Sequence, residues 1–105
     1  PRVCATVHAG QGTLALRVPD HRVARALAEA FGGPITSTSA NPSGAAPARH
    51  VSDLDTALAA RVFVIDGGPT AGGAPSTIVD ARVTPARLIR AGAVPWERVL
   101  ESLRA

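Results

Sequence analysis

Residues 13–18, TLALRV, place Leu14, Leu16 and Val18 on one face and Thr13, Ala15 and Arg17 on the other. That two-residue period predicts a half-buried strand. Pro19 ends it, and Asp20 is the expected N-cap of a helix. In that helix Val23, Leu27, Ala30 and Phe31 recur at helical spacing, opposite Arg22, Arg25 and Glu29. Gly32-Gly33 close it. Residues 35–40 read as a short strand rich in hydroxyls, and NPSGAAPARH at 41–50 reads as a loop. Ser52 and Asp55 resemble a capping box with a shortened acid, opening a small helix that buries Leu54, Ala57 and Leu58.

The β-branched run RVFVID at 61–66 predicts a strand buried on both faces. The segment GGPTAGGAP at 67–75 must be a loop, and its length implies close approach to a ligand or to another loop. STIVDA at 76–81 and ARLIRAG at 86–92 predict two short strands joined by a turn around Thr84-Pro85. A terminal helix turns Trp96, Val99, Leu100 and Leu103 inward and Glu97, Arg98, Glu101 and Arg104 outward, with Pro95 in its first turn. Residues 2–8 add a candidate edge strand. The pattern is α/β, with more strands than a plain βαβ ladder provides.

Composition narrows the possibilities. The 105 residues leave room for one small domain, and 46% hydrophobic with 18% charged residues is the balance of a chain that folds. One cysteine, Cys4, excludes a disulfide framework and any multi-cysteine metal site, and its apolar surroundings predict a small buried hydrophobe. No apolar run reaches the ~20 residues of a membrane span, and a cytoplasmic location is expected. All eleven positive charges are arginine, for a net charge of +3. Planar guanidinium forks suit phosphate and carboxylate, so the balance is compatible with nucleotide or RNA. One tryptophan and two phenylalanines argue against a stacking platform for single strands.

Several motifs fail on context. Gly10, Gly12 and Ala15 fit a loose G-x-G-x-x-A pattern but precede a predicted strand instead of following one. His8, His21 and His50 lack the spacing of metal ligands. The segment 36–44, TSTSANPSG, is different: Ser37 and Ser39 share one strand face, Thr36 and Thr38 the other, and an asparagine turn follows. Small hydroxyls beside loop amides can bond phosphate or carboxylate oxygens, although a Ser/Thr-rich solvent face gives the same pattern. Thr13 and Arg17 share a face ~13 Å apart at the rise of a strand, a span that reaches two ends of one ligand.

GTLALRVPDH at 12–21, PITSTSANPSG at 34–44, DGGPTAGGAPSTIVD at 66–80 and ARLIRAGAVPWE at 86–97 together resemble the second half of the YrdC-type domain of L-threonylcarbamoyladenylate synthases. The resemblance implies a twisted mixed parallel/antiparallel sheet with flanking helices, here incomplete, with residues 1–105 a partial YrdC-like domain. It also implies a nucleotidyltransferase reaction in tRNA threonylcarbamoyladenosine synthesis: ATP, L-threonine and bicarbonate give threonylcarbamoyl-AMP and pyrophosphate. Carried over by motif, Thr13, Ser39, Asn41 and Arg90 are expected at ATP, and Arg17, Ser37 and Ser76 at threonine, with Arg17 pairing its carboxylate. Mg²⁺ is expected with the triphosphate. No residue is assigned a catalytic role, and no protein metal site is expected.

The implied partners are a downstream tRNA threonylcarbamoyltransferase and double-stranded RNA or tRNA. A related domain occurs in hydrogenase-maturation carbamoyltransferases, and a non-catalytic fragment that binds nucleotide or double-stranded RNA is the other alternative. The family's first half carries a basic K-x-R element, whereas this sequence contains no lysine. An incomplete sheet with open edges and uncovered apolar faces is therefore expected.

Overall fold

The computed structural model describes residues 4–105 as three α-helices, a 3₁₀ turn and a two-stranded antiparallel sheet. The chain divides into two units, one ending at Ser39 and one running Ala40–Ala105.

In the first unit the alternating apolar and charged residues form helix α1, Arg22–Phe31. Its cap is His21 and not Asp20: the His21 Nδ1 accepts from the Ala24 N–H at 3.3 Å. Asp20 instead pairs with Arg25 at 3.2 Å, and this competing charge explains the one-residue displacement of the cap. Gly32 ends α1 in the left-handed conformation, its N–H reaching the Ala28 and Glu29 carbonyls. Residues 13–18 and 35–40 join no sheet. Residues 5–8 form turns and residue 4 joins no strand, in place of the expected edge strand; residues 2 and 3 of that expectation lie outside the described residues.

In the second unit, Asp53 Oδ2 accepts from the Arg49 and His50 N–H groups and caps the 3₁₀ turn Val51–Asp53. Asp55 then caps the single-turn helix α2, Thr56–Ala59, by accepting from the Leu58 N–H at 3.0 Å. The Ser52–Asp55 capping box is thus replaced by two aspartate caps in series. Residues 61–66 join no sheet among the described residues, and Phe63 is 93% exposed where a doubly buried strand was expected. Strands β1, Ile78–Asp80, and β2, Arg87–Arg90, form the expected hairpin, with a cis Thr84–Pro85 bond in its connection. Helix α3, Trp96–Arg104, starts at the Pro95 cap and half-buries Trp96, Val99 and Leu100, leaving Glu97, Arg98, Glu101 and Arg104 exposed as predicted. Leu103 is exposed.

Among the described residues no apolar side chain is fully buried; Val18, in the predicted half-buried strand, is 86% exposed. Strands bury their faces only when other strands or helices cover them. Segments 13–18, 35–40 and 61–66 have strand-forming sequences without such a cover. What positions the candidate site is the hairpin and the polar contacts at its ends.

Candidate functional site

The register of β1 on β2 shifts by one residue between Ile78 and Val79, so Ile89 is the extra residue of a bulge: Ile78 pairs with Arg90, but Val79 pairs with Leu88. Bulges re-aim neighbouring side chains, and this one immediately precedes Arg90. The Arg90 guanidinium turns onto the Ser76 carbonyl, Nε at 3.2 Å and Nη2 at 2.8 Å. Two of its five N–H groups are thereby used, and the other three stay available to an anion. The structure thus brings together one residue expected at the nucleotide and one expected at threonine.

Asn41, also expected at the nucleotide, folds its own turn: Nδ2 donates to the Pro42 and Ala45 carbonyls at 3.0 and 2.8 Å. Its Oδ1 is buried and has no hydrogen-bond partner among the described residues. An unsatisfied buried acceptor costs free energy until a donor reaches it. Phosphate oxygens offer no donor, whereas a ribose hydroxyl or an adenine amino group does. Ala40, just before it, has φ 54°, a left-handed backbone uncommon for a residue with a Cβ.

In the first unit Thr13 is half-buried, and Arg17, Ser37 and Ser39 are exposed. No hydrogen bond or ion pair among the described residues joins these four to one another. The glycine-rich loop lies in the second unit and is tied to Arg49: the Thr70 N–H donates to the Arg49 carbonyl at 2.8 Å, and Arg49 Nη2 donates to the Ala71 carbonyl at 3.1 Å. A Cβ on Gly72 would meet the movable end of the Arg49 side chain, Nε at 2.9 Å, so it is the φ of +65° that favours glycine there.

Sequence reasoning missed a third group. Asp80 is 3% exposed and accepts from Arg82 Nε at 2.8 Å, Arg82 Nη2 at 2.7 Å, the Arg82 N–H at 3.0 Å and Arg87 Nη2 at 3.3 Å. The Arg82 side-chain bonds, then its backbone N–H, hold the Asp80 carboxyl well below the usual carboxylate range, aided by both positive charges and opposed by burial. The Asp-x-Arg spacing was the available signal, but pairing Arg87 with it requires the hairpin register. Cys4, expected buried, is exposed, and the Thr6 hydroxyl lowers its thiol pKa.

A carboxyl with a depressed folded-state pKa contributes stability above its unfolded pKa and loses it as pH falls toward the folded value. The hairpin is therefore expected to be at full strength above the ordinary aspartate range near ~3.9 and to weaken below it. Amide exchange at Val79 and Leu88 measured against pH reads this directly. Asp80→Asn should remove the acid-side loss and lower protection at neutral pH; protection equal to wild type at neutral pH would contradict the assignment.

A bulged hairpin that holds an arginine on the carbonyl before its first strand, preceded by a glycine-rich loop and an Asn turn, defines the class: a small α/β protein organised around one antiparallel hairpin. The Sua5/YciO/YrdC family, described as telomere recombination, matches residues 1–92, and the chain belongs to that family. It is 40% identical over 97 residues to the threonylcarbamoyl-AMP synthase of Bacillus subtilis strain 168, which is 89% of this chain and 27% of the relative. To the Halorhodospira halophila threonylcarbamoyl-AMP synthase it is 44% identical over 77 residues, 72% of this chain and 40% of the relative. The Chromohalobacter salexigens synthase is 44% identical over 68 residues, 65% of this chain and 37% of the relative. The chain thus spans well under half the length of the curated relatives it matches. No solved structure gives a significant match.

Proposed function

We propose that the chain carries the second-half residues of a threonylcarbamoyl-AMP synthase site. The observation that carries this reading is Arg90 held on the Ser76 carbonyl, which ties a nucleotide-side guanidinium to the backbone of a residue expected at threonine. In this reading Thr13, Ser39, Asn41 and Arg90 bind ATP, and Arg17, Ser37 and Ser76 bind threonine. The threonine amine takes up the carbon of bicarbonate, losing water, and one carbamate oxygen attacks the α-phosphorus while pyrophosphate leaves. Arg90 stabilises charge on the phosphates, and hydroxyl donors hold the carbamate in line. The unpartnered Asn41 Oδ1 supports contact with the ribose or the base.

Mg²⁺ belongs to the substrate here, carried on phosphate oxygens as it usually is with nucleotides. The finer fold, a twisted mixed sheet with flanking helices, would enlist segments 13–18, 35–40 and 61–66 once strands from the rest of a family domain cover them. The product passes to a tRNA threonylcarbamoyltransferase, and the arginines provide contacts to tRNA or double-stranded RNA. No described helix is long and apolar enough to cross a membrane, and in this reading the work is done in the cytoplasm. The test is mass-spectrometric detection of threonylcarbamoyl-AMP after incubation of the chain, completed with the first half of the family domain, with ATP, threonine and labelled bicarbonate. Labelled product is expected, and its absence overturns the reading.

A further inference from the structure

The paired strands end at Ile78 and Arg90, yet the two chains stay joined beyond that point by contacts of another kind. The Ala93 N–H donates to the Pro75 carbonyl at 2.8 Å. The Thr77 hydroxyl donates to the Val94 carbonyl at 2.6 Å and accepts from the Val94 N–H at 3.1 Å. One side-chain hydroxyl therefore satisfies both backbone groups of Val94, using its single donor and one of its two lone pairs. Between these ties lies Ser76, whose carbonyl receives the two Arg90 bonds. Gly92 makes the approach possible, because any Cβ there would collide with the Pro75–Thr77 backbone.

We infer that Thr77 is a positioning residue for Arg90. Its hydroxyl closes the arch from 75 to 94, fixes the direction of the Ser76 carbonyl, and so aims the Arg90 guanidinium. The role assigned to Arg90 at the nucleotide rests on the proposed function; the aiming of Arg90 by Thr77 does not. A side chain that only filled space at this place would not need its hydroxyl. Thr77→Val keeps the shape and removes the hydroxyl, leaving both Val94 backbone groups without this partner, whereas Thr77→Ser keeps the hydroxyl.

The test combines two readouts on the chain. The first is exchange of the Arg90 Nε–H with water by nuclear magnetic resonance, which needs no ligand. The second is titration with ATP and Mg²⁺. Thr77→Val is expected to speed Nε–H exchange about tenfold and to weaken ATP binding by a similar factor, while Thr77→Ser restores both toward wild type.

Unchanged Nε–H exchange in Thr77→Val overturns the inference, as does equal loss in Thr77→Ser and Thr77→Val. If the wild type binds no ATP, the nucleotide reading of Arg90 fails, and the exchange comparison still decides the role of Thr77. Should Thr77→Val not fold, the wild type answers: the Val94 amide and the Arg90 Nε–H are expected to be protected to a similar extent. Exchange at Arg90 a hundredfold faster than at Val94 would overturn the coupling.

Discussion

Replacing Gly92 by alanine is expected to dismantle the end of the hairpin. The added Cβ would collide with the Pro75 carbonyl oxygen, the Thr77 nitrogen and the Ser76 carbonyl carbon. All three are backbone atoms, so no side-chain rotation relieves the contact. Either the 75–77 segment or the 91–93 segment must move, and the move breaks the Ala93–Pro75 bond, both Thr77–Val94 bonds and the Arg90 seat on Ser76. Overpacking of this kind costs about 3 kcal/mol, a fall of roughly 15 °C in the midpoint for a domain of this size. Thermal unfolding and exchange at the Val94 amide measure it. A midpoint within two or so degrees of wild type would mean that the close approach is not what holds this end together.

Replacing Arg17 by alanine is expected to raise the threonine KM about a hundredfold in a chain carrying the whole family domain, with the ATP KM little changed. Arg17 is exposed, and its guanidinium has no partner among the described residues, so the full fork is free for a carboxylate. Hydrogen bonds to a charged group are worth about 1.5–3 kcal/mol, and a paired fork lies at the upper end. Arg17→Lys should recover only part of the loss, since an ammonium offers a point charge in place of the planar fork. Initial rates across a threonine series measure the effect. An unchanged threonine KM would remove Arg17 from the substrate carboxylate.

The elements readable in the sequence were those whose signals are local. Helices α1 and α3 follow from apolar spacing, the left-handed Gly32 ends α1 as placed, and the β1–β2 hairpin lies within its predicted segments. Segments 13–18 and 61–66 carry equally clear strand patterns, yet pairing is a property of two segments, and no described segment pairs with them as a strand. The exposure of Leu16 and Phe63 is the physical sign of that missing cover. The caps went wrong by one to three residues because several polar side chains compete at each helix start: Arg25 draws Asp20 away and leaves the cap to His21.

The candidate site was legible through its motifs and only partly through its geometry. Ser76 and Arg90 lie 14 positions apart, and only a bulged register places one on the other. The same register hid the work of Thr77 and the pairing of Arg87 with Asp80. Asn41 could be read in advance as a turn former; that its Oδ1 would be left buried without a partner could not.

The measurement that bears most directly on the central claim is pyrophosphate release from ATP and Mg²⁺ by the chain completed with the first half of the family domain, with threonine and bicarbonate present together and each omitted in turn. The account predicts release only when both are present, and its loss in Arg90→Ala. Release indifferent to threonine, or none while a full-length threonylcarbamoyl-AMP synthase turns over in parallel, would contradict the claim that these residues make a working synthase site.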